Sequence, residues 1–214
     1  MNELGLVPPP WTLRGSGWIF LYRFPDSFAH RESGLATNRL RFRGGFGAVM
    51  LVNYTDSDVG PYDELLIIPG RTSANGYQGY TVSRIYVSTQ ASVINGRRNW
   101  GIPKELADFH WESSPDGSQN VTAAKDGAQF LRMKARPTRL SFPLSTRLFS
   151  PQLLQPVSEG FLATALTGRG RGRLARLESL WIDAEHFPDA AQFAPTVAVR
   201  ITGFQLTFPK PRQL

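Results

Sequence analysis

The 214-residue chain contains no cysteine, which excludes a disulfide framework, a thiolate nucleophile and a cysteine-based zinc site together. Histidine is nearly as scarce. His30, His110 and His186 are far apart in sequence and none has the close spacing of a metal-binding helix, so no metal site and no cofactor are expected. Long apolar runs are missing as well: the longest stretches without a charge are 12 residues, such as Gly44 to Thr55, against roughly 18 apolar positions for a membrane-spanning helix. The start, Met1 to Val7, carries neither the basic region nor the apolar run of a secretory signal, and a cytoplasmic protein with no membrane partner is the expectation. Lysine is also rare, with only Lys104, Lys125, Lys134 and Lys210 against 20 arginines.

What is present suffices for a folded domain. Hydrophobic residues make up 41% of the chain and charged residues 19%, enough to bury one sizeable core. The 20 glycines and 16 prolines are spread throughout and no repeat recurs at a fixed period, so residues 1–214 read as a single domain. The net charge of +7 is unevenly placed: Gly127 to Arg176 carries +8 and the remainder −1. Such a segment attracts phosphates by counterion release, yet it holds one lysine and few aromatics for base stacking. A solvated or subunit-facing surface is expected there, and nucleic acid is not the expected partner.

Pro8-Pro9-Pro10 reads as an extended arm that delivers Trp11 to the body. Gly17 to Phe24, Phe46 to Tyr54 and Glu64 to Ile68 are rich in β-branched and aromatic residues and read as strands, as does Tyr80 to Thr89. Val121 to Lys125 and Gln129 to Lys134 form a hairpin across the Asp126-Gly127 turn signal. Phe161 to Gly168, Leu174 to Ile182 and Thr196 to Phe208 are further strands, although the leucine spacing of the middle segment also fits a helix. Short helices are predicted around Leu35 to Arg41, near Ala91 to Asn95 and at Asp183 to Phe193, the last broken by Pro188. The fold class is therefore mainly β with a few short helices, in a meandering antiparallel sheet.

Two segments combine backbone-shaping residues with reactive side chains. In Val59 to Leu66, Gly60-Pro61 forces a turn and the acids Asp63 and Glu64 follow at the mouth of an apolar strand. Neighbours on a strand point to opposite faces, so one acid faces the interior and the other does not; Glu64 is the interior candidate, with termination of the strand in solvent the alternative for both. In Ala91 to Leu106, Lys104 stands among Trp100, Ile102 and Pro103. A lysine desolvated by such neighbours supplies the neutral amine that Schiff-base chemistry needs, whereas a surface lysine does not. Gly96, Gly101 and Pro103 read as shapers of a loop.

The GPYDE segment followed by GRRNWGIPKE resembles the acetoacetate decarboxylase superfamily, whose members carry a Gly-x-Tyr-x-Glu element and a Gly-Arg-x5-Pro-Lys element. The resemblance runs from the Trp11 to Phe24 entry through Phe109. It implies a cone-shaped, largely antiparallel β-barrel with the lysine inside, a tendency to form homo-oligomers, Lys104 as the Schiff-base lysine, Glu64 as the active-site glutamate and Arg97 as the arginine after the motif glycine. Two positions depart from the pattern. A second lysine directly follows the catalytic one in the decarboxylase proper, and here that place is Glu105; the family's N-terminal substrate-site arginine falls on Gly15, one position from Arg14.

The implied function is a Schiff-base-forming lyase acting on a small keto acid, with decarboxylation of an acetoacetate-like β-keto acid as its leading reaction and aldol or dehydration chemistry as the related one. Arg97, Arg98 and Arg14 are the candidates to hold a substrate carboxylate, and Tyr62 and Trp100 to contact the substrate, core packing being the other use of the two aromatics. A non-catalytic small-ligand-binding barrel is the rival from a different class.

Overall fold

Alternating apolar and polar residues resolve into strands over most of the chain. The structure, a computed structural model, describes residues 5–33, 40–146 and 152–214. Its strands are β1 (Trp11–Phe24), β2 (Arg41–Arg43), β3 (Gly45–Asp56), β4 (Tyr62–Ile68), β5 (Arg71–Ala74), β6 (Tyr77–Tyr80), β7 (Arg84–Val87), β8 (Lys104–Leu106), β9 (Asp108–Ser113), β10 (Gln119–Lys125), β11 (Ala128–Ser145), β12 (Gln152–Pro156), β13 (Phe161–Ala165), β14 (Thr167–Ile182), β15 (Val197–Phe208) and β16 (Arg212–Gln213). Among the described residues two α-helices interrupt them, α1 (Asp26–Arg31) and α2 (Gln90–Trp100). No helix among the described residues is long and apolar enough to cross a membrane.

Ten strands form one sheet in the order β8-β7-β4-β3-β1-β15-β14-β11-β10-β9. Every pair in it is antiparallel except β7 with β8. Its two edge strands, β8 and β9, are joined through Ala107 alone, so the ends of the sheet come together and the barrel is nearly closed. A six-stranded sheet in the order β16-β13-β12-β6-β5-β2 supplements it.

The long sheet buries a different face at each end, and β1 makes the change visible. Its odd residues Trp11, Leu13, Gly15 and Gly17 are buried first, and then its even residues Trp18, Phe20, Tyr22 and Phe24. The even face joins Leu51, Leu65, Phe130 and Met133 in one core. The odd face joins Val52, Tyr54, Leu66 and Trp100 in a second core that includes Val93 of α2. The candidate site belongs to this second core.

The hairpin across Asp126-Gly127 is present, with Gly127 at φ +81°. Leu174 to Ile182 is strand, part of β14, because its apolar residues pair across to β11 in the register Leu177–Ala135, Leu180–Met133 and Ile182–Leu131. The expected helix at Asp183 to Phe193 is instead a set of turns with one 3-10 turn at Ala190–Gln192, since Pro188 offers no N–H to a helical ladder. Most of the helix expected at Leu35 to Arg41 lies outside the described residues, and Arg41 itself opens β2. The basic Gly168 to Arg173 run is strand: alternation turns Arg169, Arg171 and Arg173, all exposed, to one face and the glycines to the other.

Candidate active site

Strand alternation aims the two principal side chains at each other. On β4, Glu64 lies opposite Val52 of β3 and Val87 of β7, while on β8 Lys104 lies opposite Ile85 of β7. Residues opposite one another share a face, so Glu64 and Lys104 flank β7 on the same side of the sheet. Two interstrand spacings separate their backbones, a gap that the long lysine side chain crosses. Lys104 Nζ ends 2.9 Å from Glu64 Oε2, with both residues about 95% buried. Asp63 takes the opposite face, where it accepts a hydrogen bond from Asn53.

The remaining polar contacts complete the lysine. Its Nζ donates to Ser92 Oγ at 2.9 Å and to Tyr62 Oη at 3.4 Å, so each of the three ammonium N–H positions has an acceptor. Nζ also lies 4.9 Å from the Tyr62 ring centroid. The second oxygen of Glu64 accepts from Tyr54 Oη at 3.1 Å. Burial, with the charge of Glu64 adding to it, raises the Tyr54 and Tyr62 hydroxyls well above the ordinary tyrosine range, so both keep their protons, and Tyr54 donates its own to Glu64.

Helix α2 supplies the groove in which the lysine runs. Thr89 caps its N-terminus by accepting from Ser92 N, and Gly101 at φ +66° ends it in the left-handed conformation that glycine adopts without strain. Ser92 and Gly96, four residues apart, share the face toward Lys104. A Cβ on Gly96 would stand 2.6 Å from Lys104 Cδ and 2.8 Å from Cε. Gly96 is thus a helical residue that makes room for the lysine, not a shaper of a loop. The proline arm is tied to the same helix: Val7 N donates to Asn95 Oδ1 and Asn99 Nδ2 donates to Val7 O, both at 2.8 Å.

The arginines take other positions. Arg97 Nε donates to the backbone carbonyl of Lys104 at 2.6 Å, which fixes β8 to α2 without bringing the guanidinium to the lysine amine. Arg98 is exposed in the last turn of α2. Arg14 is an even residue of β1, on the face opposite Trp11 and Leu13, and pairs with Asp56 at 3.1 Å in solvent. None of the three borders the cavity at Lys104, so the structure does not place them where a substrate carboxylate at that amine would meet them. Trp100 and Tyr62 do border it. Trp100 is also packed edge-on to Trp11 and donates to the carbonyl of Pro209, as a wall of the core would.

Glu105, in the place of a second lysine, points away from the site. It follows Lys104 on β8 and therefore faces the other side of the sheet, where it pairs with Lys125 at 2.6 Å and Arg84 at 3.3 Å. Partial burial raises its carboxyl, but the hydrogen bond and charge of Lys125, with Arg84, outweigh this and hold it below the usual carboxylate range. Its charge is engaged there and not in the cavity.

The cavity beside the pair measures about 90 Å³. Apart from Lys104, Glu64 and the two tyrosines, its walls are apolar, among them Leu13, Val52, Leu66 and Ile102. Tyr54 and Ser92 were not among the residues singled out from the sequence. Ser92 was legible in principle, one turn before Gly96 on the helix face that must meet the lysine. Tyr54 depends on the pairing of β3 with β4, which no local pattern specifies. No group of three or more His, Asp or Glu side chains suited to a metal ion occurs among the described residues.

Protein NEOXANTHIN-DEFICIENT 1 of Arabidopsis thaliana is 27% identical over 157 residues, covering 72% of this chain and 51% of that protein. The protein of the same name from Solanum lycopersicum is 27% identical over 112 residues, covering 50% and 37% respectively. The chain spans about half, or less, of the length of these curated relatives. Among solved structures, acetoacetate decarboxylase from Legionella pneumophila superposes with a TM-score of 0.75 at 14% identity, covering 97% of this chain and 88% of that one. The enduracididine biosynthesis enzyme MppR complexed with pyruvate superposes with a TM-score of 0.67 at 16% identity, covering 99% and 93%. At these identities the two structures establish the shared fold. Residues 6–152, well over half of the chain and including Glu64, Ser92 and Lys104, match the family described as Acetoacetate decarboxylase (ADC), and the chain belongs to that family.

Proposed function

We propose that this protein is a Schiff-base-forming lyase in which Lys104 condenses with the ketone of its substrate. The observation that carries this reading is the buried Lys104 amine, 2.9 Å from Glu64 and facing an apolar cavity. A proton passed from Nζ to Glu64 Oε2 leaves a neutral amine, whose lone pair attacks the carbonyl carbon. A proton passes from the attacking nitrogen to the alkoxide to give a carbinolamine, and Glu64 then returns the first proton to its hydroxyl, so that water leaves and an iminium remains. Tyr54 steadies the glutamate through its other oxygen, and Ser92 and Tyr62 orient the nitrogen. The iminium accepts the electron pair of a neighbouring C–C or C–H bond, the resulting enamine is protonated at carbon, and hydrolysis frees Lys104.

Loss of carbon dioxide from a β-keto acid is the reaction that best suits the surroundings. A carboxylate leaving as neutral carbon dioxide sheds its charge, and a wall that is apolar and without an arginine among the described residues favours that change. Arg97, Arg98 and Arg14 do not border the cavity, so carboxylate recognition by them is no part of the proposal. Aldol or dehydration chemistry uses the same iminium, and the pyruvate complex of the structurally similar MppR makes it the second reading.

Exchange of ketone α-hydrogens for deuterium, followed by NMR with acetone and acetoacetate, tests the electron-sink step. The native protein is expected to accelerate exchange well above buffer, and Glu64→Gln to slow it by 10²- to 10⁴-fold, the usual range for a proton-transferring side chain. Exchange no faster than in buffer with either of these ketones and with 2-undecanone would remove the enamine from the mechanism.

A further inference from the structure

A second cavity of about 300 Å³ adjoins the first. The two share Met50, Val52, Tyr54, Leu166 and Leu206 as lining residues, and both open on the same face of the long sheet. Alternation in β14 directs Arg169, Arg171 and Arg173 to the opposite face, while Gly168 and Gly170 border the cavity and let Leu206 and Phe204 pack close against them: a Cβ there would stand 2.9 Å from Leu206 Cδ1 and 2.8 Å from Phe204 Cβ. Leu144, Ile19, Ile201 and Phe204 supply apolar walls. Among the described residues, Arg169 is the one charged residue that borders this cavity, and it does so through a strand that turns its side chain to the other face. Met50 stands at the junction, an unbranched thioether that repacks at little cost.

Acetoacetate fits poorly with this layout. A small charged substrate would leave the larger cavity unused and, among the described residues lining the first, would find no cation besides a lysine already paired with Glu64. We infer that the substrate is an apolar chain bearing a ketone at or near one end, with the ketone at Lys104 and the chain passing Met50 into the second cavity. The inference rests on the Schiff-base reading for the placement of the ketone, but the apolar cavity stands without it. A long-chain β-keto acid and a simple long-chain ketone share this chemistry.

Dissociation constants for a series of 2-alkanones from acetone to 2-undecanone, measured by calorimetry, test it. Affinity is expected to rise about fourfold for each added methylene, the factor for burying one CH₂, until the cavity is filled. The rise should persist in Lys104→Met, because binding of the chain does not need the imine. Ile201→Trp and Ile19→Trp, which fill the second cavity from two sides, should flatten the series. An affinity independent of chain length in the native protein would overturn the inference, as would a series that neither tryptophan variant alters. A chain-length dependence lost in those variants, without any trapped adduct on Lys104, would support the apolar substrate while overturning the Schiff-base reading.

Discussion

Replacing Gly96 by alanine is expected to cut imine formation at Lys104 at least tenfold without unfolding the protein. The added methyl group would stand 2.6 Å from Lys104 Cδ and 2.8 Å from Cε. Neither atom is a free chain end: Nζ beyond them is held by Glu64 and Ser92, and the backbone carbonyl before them is held by Arg97. The lysine has to leave its groove, which breaks the 2.9 Å approach to Glu64. Stability responds differently, because alanine is favoured over glycine inside a helix by about 1 kcal/mol, which offsets part of the strain. Adduct yield after borohydride reduction and the thermal midpoint, measured on the same preparation, separate the two effects. Unchanged adduct yield would show that the lysine does not run along α2.

The second large effect concerns the ion pair itself. Lys104→Met is expected to lower the unfolding free energy by about 3–5 kcal/mol, because it strands the Glu64 carboxylate in a buried site. Adding Glu64→Gln should recover at least half of that loss, since the amide carries no charge and still offers Tyr54 an acceptor. Denaturant titration of the native protein, both single variants and the double variant gives the coupling between the two sites. A cost below about 1 kcal/mol for Lys104→Met would mean that the two groups do not meet away from water.

Much of this site is written in local sequence. The two-residue period of a strand says that Asp63 and Glu64 part company, and the apolar run after them marks which end is buried. The same period explains why Glu105 cannot stand in for a second lysine: one residue along β8 is the other side of the sheet. The hairpin at Asp126-Gly127 and the strand character of most apolar runs were equally legible. Other features depend on partners distant in sequence. Leu174 to Ile182 fits either periodicity, and only its pairing with β11 makes it a strand. Tyr54 reaches Glu64 because β3 pairs with β4. The arginines mislead for a related reason. Charge suggests a carboxylate partner, but Arg97 uses its guanidinium on the carbonyl of Lys104 and Arg14 spends its own on Asp56. The role of Gly96 emerges only once α2 extends from Gln90 to Trp100 and the lysine is seen lying along it.

The measurement that reaches the central claim most directly is intact mass after borohydride reduction in the presence of acetone, acetoacetate, pyruvate or 2-undecanone, on the native protein and on Lys104→Ala. The expected result is a single reduced adduct on the native protein, located at Lys104 by peptide mapping, and none on the variant. A native protein that stays unmodified with every ketone, or an adduct of equal yield on Lys104→Ala, would contradict Lys104 as the covalent residue.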